Sequence, residues 1–213
     1  MQTLTRDHIV QWLKHLAATL EANKDYLTQL DAAIGDADHG INMDRGFKKV
    51  LSQLPTVQDK DIGTILKTVG MALISSVGGA GGPLYGTLFM RAGMAVGSKY
   101  ELTPEDLVAM WRAAVDGVIQ RGRAQLGDKT MVDALLPAVE AMQQALEQGG
   151  DIIAVLQAGV AAAEKGRDAT IPLVARKGRA SYLGERSAGH LDPGATSSHL
   201  VLKTLLETVT GES

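Results

Sequence analysis

No cysteine occurs in the 213 residues. That absence excludes disulfides, thiolate catalysis and cysteine-ligated zinc in one step, and it suits a reducing compartment. Basic residues are not in excess: 21 Lys and Arg stand against 24 Asp and Glu, a formal net charge of −3. The clustered basic surplus that marks a nucleic-acid footprint is missing, so no nucleic-acid partner is expected. No run of about 18 apolar residues is present, so no membrane span is expected. The opening "MQTLTRDHIVQWLKHLAATLEANKDYL" carries charges throughout and lacks the unbroken apolar stretch of a signal peptide. The expected location is the cytoplasm. Alternating β patterns are scarce, and no repeat, low-complexity tract or domain boundary is visible. Residues 1–213 are therefore read as one domain, long enough to bury a real core.

Helical periodicity dominates what is there. In "LTPEDLVAMWRAAVDGVIQRG", Thr103 is a candidate cap and Pro104 takes the first helical position. Glu105 and Asp106 favour the positive end of the helix. Leu107, Trp111, Ala114, Val115, Val118 and Ile119 follow as one apolar stripe. A second such helix starts near Thr130 and ends at Gly149-Gly150. A third opens at Asp151, and a fourth at Asp192-Pro193. Earlier helices are expected over roughly 5–22, 40–52, 61–77 and 84–98. About eight helices in all make the chain all-α.

Three breaks between helices are rich in glycine and polar groups: "AAIGDADHGIN" (32–42), "SSVGGAGGPLYGT" (75–87) and "ARKGRASYLGERSAGHLDPGATS" (175–197). In the first, with Asp31 just upstream on the end of a helix, three carboxylates crowd together. Carboxylate oxygens are hard ligands for Mg²⁺ or Ca²⁺, and three so close repel one another unless a cation compensates. An EF-hand does not fit, because counting from Asp36 puts Ile41 and Phe47 where that loop needs Gly and Glu. Helix caps in a polar turn are the bland alternative. The second break offers backbone amides ahead of a helix, a phosphate-binding arrangement. It has no Walker A spacing, and close helix packing accounts for such glycines as readily. The third carries Arg176, Lys177, Arg179, Arg186 and His190, cations suited to phosphate charge or simply to solvent. Acid cluster, glycine turn and basic loop together point to a metal–nucleotide complex and to phosphoryl transfer, which works by positioning and charge neutralisation.

"GDADHGINMDRGF", "SSVGGAGGPLYGT" and "ARKGRASYLGERSAGHLDPGATS" resemble the nucleotide-binding L domain of dihydroxyacetone kinases, over essentially the whole chain. The resemblance implies eight amphipathic antiparallel helices closed into a barrel, with the nucleotide site in the loops at one end. It implies that Asp31, Asp36 and Asp38 ligate two Mg²⁺, which hold the phosphates of a tightly bound ADP or ATP. His39, Gly40, Ile41, Asn42, Ala80 and Gly81 would line the nucleotide, with Gly122 and Met131 near its base. Arg179 and Asp192-Pro193-Gly194 would close the site, with Lys177 and Arg179 neutralising phosphate charge.

In ATP-dependent members the L domain is fused behind a larger substrate domain; here it is read as standing alone. That is similar to the three-component system fed by phosphoenolpyruvate. Its K subunit holds dihydroxyacetone covalently, and its M subunit rephosphorylates ADP in place from a phosphohistidine. The L subunit of such systems also contacts a transcription regulator. On this reading no substrate nucleophile is assigned to His39, His190 or His199, and no catalytic base is identified. Three other roles fit the same residues: a kinase exchanging free ATP, a regulatory binding subunit, and an all-α calcium-binding module.

Overall fold

The structure, a computed structural model, describes residues 1–212, so the last position of the 1–213 unit lies outside the described residues. It is built from α1 (Arg6–Ala22), α2 (Lys24–Ile34), α3 (His39–Val57), α4 (Ile62–Ser76), α5 (Gly81–Val96), α6 (Pro104–Gly122), α7 (Val132–Glu147), α8 (Ile152–Asp168) and α9 (Pro193–Thr210). A 3-10 segment covers Arg179–Ser187, and a two-residue antiparallel ribbon pairs Leu4–Thr5 with Glu101–Leu102. Among the described residues, no helix is long and apolar enough to cross a membrane.

Eight of the nine α-helices form a closed ring, in the spatial order α1, α3, α4, α5, α6, α7, α8, α9 and back to α1. Each sends its apolar stripe inward. Trp12 from α1 meets Phe89 of α5 at 5.8 Å and Trp111 of α6 at 6.2 Å between ring centroids, and Phe47 of α3 meets Phe89 at 6.0 Å. The Trp12 indole N–H is satisfied by the Val201 carbonyl and the Thr204 hydroxyl of α9. The capping chemistry read from sequence is present. Thr103 accepts from the Asp106 amide in a capping box, and Asp151 and Asp192 cap α8 and α9.

The ninth helix, α2, stands outside the ring and packs on α3, α9 and the 3-10 segment. On sequence alone Asp31 falls on the end of a helix, but that helix is given no bounds and is left out of the eight. It buries only Leu27, Asp31 and Ile34, and Asn23 ahead of it makes no side-chain cap. What fixes α2 is a close approach at Gly40 in the first turn of α3. A Cβ there would sit 1.9 Å from the Lys24 carbonyl oxygen and 2.6 Å from the Thr28 hydroxyl. Backbone cannot give way as a side-chain tip can. Gly40→Ala is therefore expected to destabilise the fold by about 3 kcal/mol, the upper end for overpacking. A urea midpoint equal to that of the parent chain would show that the contact does not hold α2.

The glycine break at 75–87 divides in two. Only Val77–Ala80 is turn, with Gly79 at φ +63°, and the run from Gly81 onward is already helix. The later glycine packs: a Cβ on Gly86 would stand 2.2 Å from the Ile74 side chain, so α4 and α5 lie close together.

Candidate functional site

In a ring of helices joined mostly by short connections, neighbours run antiparallel. Every second helix then starts at the same end. Here the starts of α3, α5, α7 and α9 converge on one cavity of about 260 Å³, walled by Asp38, His39 and Asn42, by Ala80, Gly81 and Leu84, by Thr130 and Met131, and by Asp192, Pro193 and Gly194. The residues that precede α3, α5 and α7 make no N-cap bond with their own side chains. Asp31 takes the His39 amide of α3 and the Thr130 hydroxyl the Val132 amide of α7, while the start of α5 has no side-chain acceptor among the described residues. Exposed amides and the positive ends of helix dipoles make this end of the ring a receptor for anions. A second space of about 360 Å³, lined by Pro83, Leu84, Val118, Gly122, Met131 and Val132, abuts the first along Ala80, Leu84, Thr130 and Met131. Its wall is mainly apolar.

The acid cluster stands on the rim of the first cavity. Asp31 ends α2 and is buried, and its Oδ2 accepts the amides of Asp38 (2.9 Å) and His39 (3.1 Å). That pair of bonds folds the 35–38 loop back over the helix end. Gly35 makes room for it, since a Cβ there would stand 2.1 Å from Asp31 Oδ1. Ala37 takes φ +60°, so Asp36 and Asp38 both turn towards Asp31. One carboxylate oxygen of each of the three lies within 4.8 Å of the others. Hard oxygen donors gathered so closely fit one or two divalent cations of the Mg²⁺ class. A cation already reaches them: Arg179 Nε lies 2.9 Å from Asp36 Oδ2.

Behind the rim runs a buried hydroxyl chain. His39 Nε2 is 2.8 Å from Ser197 Oγ, which is 2.5 Å from the Tyr85 hydroxyl, itself 2.9 Å from Ser198 Oγ. Burial lowers the His39 pKa to about 4, against the pull of Asp38, so the ring is neutral at pH 7. Burial likewise raises Tyr85 to about 12. Asp192, buried at the start of α9, accepts the Ala195 amide at 2.8 Å. Burial pushes its carboxyl up to about 7; the Ala195 amide and Lys129 resist, and Asp133 and Asp31 add to the rise.

Most residues expected from sequence meet here. Asp31, Asp36, Asp38, His39, Asn42, Ala80, Gly81, Met131, Lys177, Arg179, Asp192, Pro193 and Gly194 line the first cavity, while Gly122 and Met131 line the second. Gly40 and Ile41 are in neither wall. Gly40 is buried against α2, and the Ile41 side chain is 48% exposed on the outer side of α3. Of the cations in the basic loop, Lys177 and Arg179 reach the cavity. Arg176 faces Asp128 at 4.0 Å, and His190 lies on a separate groove beside α2. Several residues at the site escape sequence reading, among them Leu84, Thr130 and the Tyr85–Ser197–Ser198 hydroxyl chain, and two of them are charged. Lys129 is buried at the cavity floor, and Asp133 ties the preceding loop by accepting the amides of Gly127 and Thr130. Asp133 carried a legible signal, an acid in the first turn of a helix; Lys129 carried none.

Comparison with known proteins gives the family. The model of the DAK2 domain matches residues 33–207. The ADP-binding subunit of the PEP-dependent dihydroxyacetone kinase of Escherichia coli K12 is 52% identical over 203 residues, covering 95% of this chain and 97% of that one. The corresponding subunit of kinase 2 from Listeria innocua is 48% identical, covering 92% and 91%. Among solved structures, the dihydroxyacetone kinase of C. freundii in complex with AMP-PNP and Mg²⁺ superposes with a TM-score of 0.71 at 26% identity. The match covers 97% of this chain but 35% of that longer protein. The chain belongs to the DAK2-domain family.

Proposed function

We propose that the whole chain is one nucleotide-binding unit. It holds ADP or ATP with two Mg²⁺ as a resident coenzyme and passes the γ-phosphoryl group to dihydroxyacetone carried by a separate K subunit. A phosphohistidine M subunit then recharges the ADP in place, all within the cytoplasm. One observation carries the reading: three carboxylates with oxygens within 4.8 Å of one another, on the rim of a cavity ringed by helix starts. The names of the E. coli and L. innocua relatives, ADP-binding subunits of PEP-dependent kinases, support the same assignment.

Each residue then has a definite task. Asp31, Asp36 and Asp38 would hold the ions, which neutralise phosphate charge when bound. The amides at the start of α5 would face the phosphates, and Gly81 keeps side chains out of their way. The apolar slot by Gly122 and Met131 takes the base. Lys177 and Arg179 lie over the mouth, where a positive charge stabilises a phosphoryl group in transit. His39, neutral and held by Ser197, donates or accepts a hydrogen bond without adding charge.

The test is the nucleotide content of freshly purified, desalted protein, released by acid and identified by chromatography. Close to one ADP or ATP per chain and about two Mg²⁺ is the expected result. Protein that is empty and exchanges ATP freely would defeat the coenzyme reading.

A further inference from the structure

Between α8 and α9 the chain makes a long excursion, residues 169–192, that carries Lys177 and Arg179 out over the cavity and back. Its two roots lie side by side. The Gly189 amide donates to the Ile171 carbonyl at 2.7 Å, and the Asp192 amide donates to the Thr170 hydroxyl at 3.0 Å. Between the roots sits a side chain from elsewhere in the sequence. Lys129, on the α6–α7 connection, is 2% exposed, and its Nζ donates to the carbonyls of Thr170 (2.5 Å), Ile171 (3.3 Å) and His190. All three protons of the ammonium are used. Two go to the outgoing root and one to the returning root.

A buried ammonium is costly to desolvate unless every proton finds an acceptor. Here each acceptor is a backbone carbonyl. That of Ile171 also takes the Gly189 amide and that of Thr170 the Leu173 amide, while that of His190 has Lys129 as its donor, so the ammonium ties its protons into the bonds that already close the neck. Lys129 itself takes φ +64°, a strained conformation for a residue with a Cβ, and its neighbour Asp128 accepts the Arg176 amide through its carbonyl at 3.1 Å. Strain at a residue so fully bonded marks a position that the surroundings hold in place. Further along, the excursion is differently built. Gly178 at φ +65° and Gly184 at φ +57° bracket a tip whose Arg179 reaches Asp36.

We propose that Lys129 is a positioning residue that pins the neck of this excursion. It confines motion to the Gly178–Gly184 tip, so that Lys177 and Arg179 return to the same place over the cavity. A lysine fits where an arginine does not, because a compact ammonium matches three carbonyls converging on one point, whereas a guanidinium is planar and forked.

The excursion carries its own reporters, since Arg176, Lys177, Arg179 and Arg186 are trypsin sites and lie in it. Limited trypsin digestion of nucleotide-free protein, with fragments mapped by mass, reads the opening of the neck directly. Cleavage of a transiently open segment tracks its open population. Lys129→Met is expected to raise the rate of nicking within 172–188 about tenfold or more. Far-UV circular dichroism and cleavage elsewhere should stay at parent values. Lys129→Arg keeps the charge and is expected to fall between the two; it also serves where Lys129→Met does not fold. Nicking of either folded variant at the parent rate would overturn the pin. So would faster nicking spread over the whole ring, which would make Lys129 an ordinary stabilising residue. Ethylammonium added to Lys129→Ala should slow nicking again, and failure to do so would remove the ammonium from the explanation. None of these readouts involves nucleotide, so their outcome stands apart from the proposed coenzyme role.

Discussion

Asp36→Asn is expected to abolish retention of the nucleotide while leaving the helix ring intact. Asp36 contributes an oxygen to the cluster, and its side chain is about a third exposed with Arg179 as its recorded partner. An exposed ion pair of that kind contributes at most about 1 kcal/mol, so the nucleotide-free variant should melt close to the parent. Removing a ligand charge is another matter. Even the partners that merely orient metal ligands change metal affinity by about 10–100-fold, so loss of a ligand should weaken Mg-dependent ADP binding by about a hundredfold or more. Equilibrium dialysis of ADP with and without Mg²⁺ measures this. Parent-like affinity in the variant would sink the ligand assignment. Asp31→Asn is the wrong variant for the purpose. Asp31 also accepts the amides of Asp38 and His39, so its loss would confuse a binding defect with a misfolded loop.

That contrast between Asp36 and Asp31 is also the contrast between what the sequence reveals and what it conceals. Three acids around Gly35 in a short loop are visible without coordinates, because like charges crowd together only for a reason. The division of labour among them is not visible. It depends on which oxygen faces two backbone amides, and that is set by Ala37 at φ +60°. The eight ring helices were legible because each buries a periodic stripe and most begin or end at a cap or a glycine. The helix α2 was legible only by its end at Asp31, because it lies outside the ring and its face is short. Its bounds are set by Gly40 meeting Lys24, a contact between residues that no periodicity links. Lys129 was the least legible of all. A lysine in "LGDKTM" reads as solvated, and the carbonyls that bury it come from 41 to 61 positions away in sequence.

Chelation is expected to lower the melting temperature of the freshly purified protein by about 8–16 °C. A ligand that binds only the folded state adds RT ln(1 + [L]/Kd), about 4.1 kcal/mol at a thousandfold excess over the dissociation constant. A chain of about 200 residues shifts by about 2–4 °C for each kcal/mol. Excess EDTA should remove that contribution, and restoring Mg²⁺ together with ADP should return it; scanning calorimetry follows both. The chelated protein should nonetheless remain folded, because most of the ring's core is apolar and owes nothing to the ions. Asp31, Asp36 and Asp38 would then face one another without a metal, and Arg179, on the excursion between α8 and α9, would provide compensating charge. On the proposed reading the same guanidinium would serve the acid cluster when ions are absent and the phosphate when they are present. Asp36→Asn should show no response to EDTA, because it has neither ion nor nucleotide to lose. A parent protein that melts at one temperature with and without chelator would mean that no cation of structural weight resides at the three aspartates.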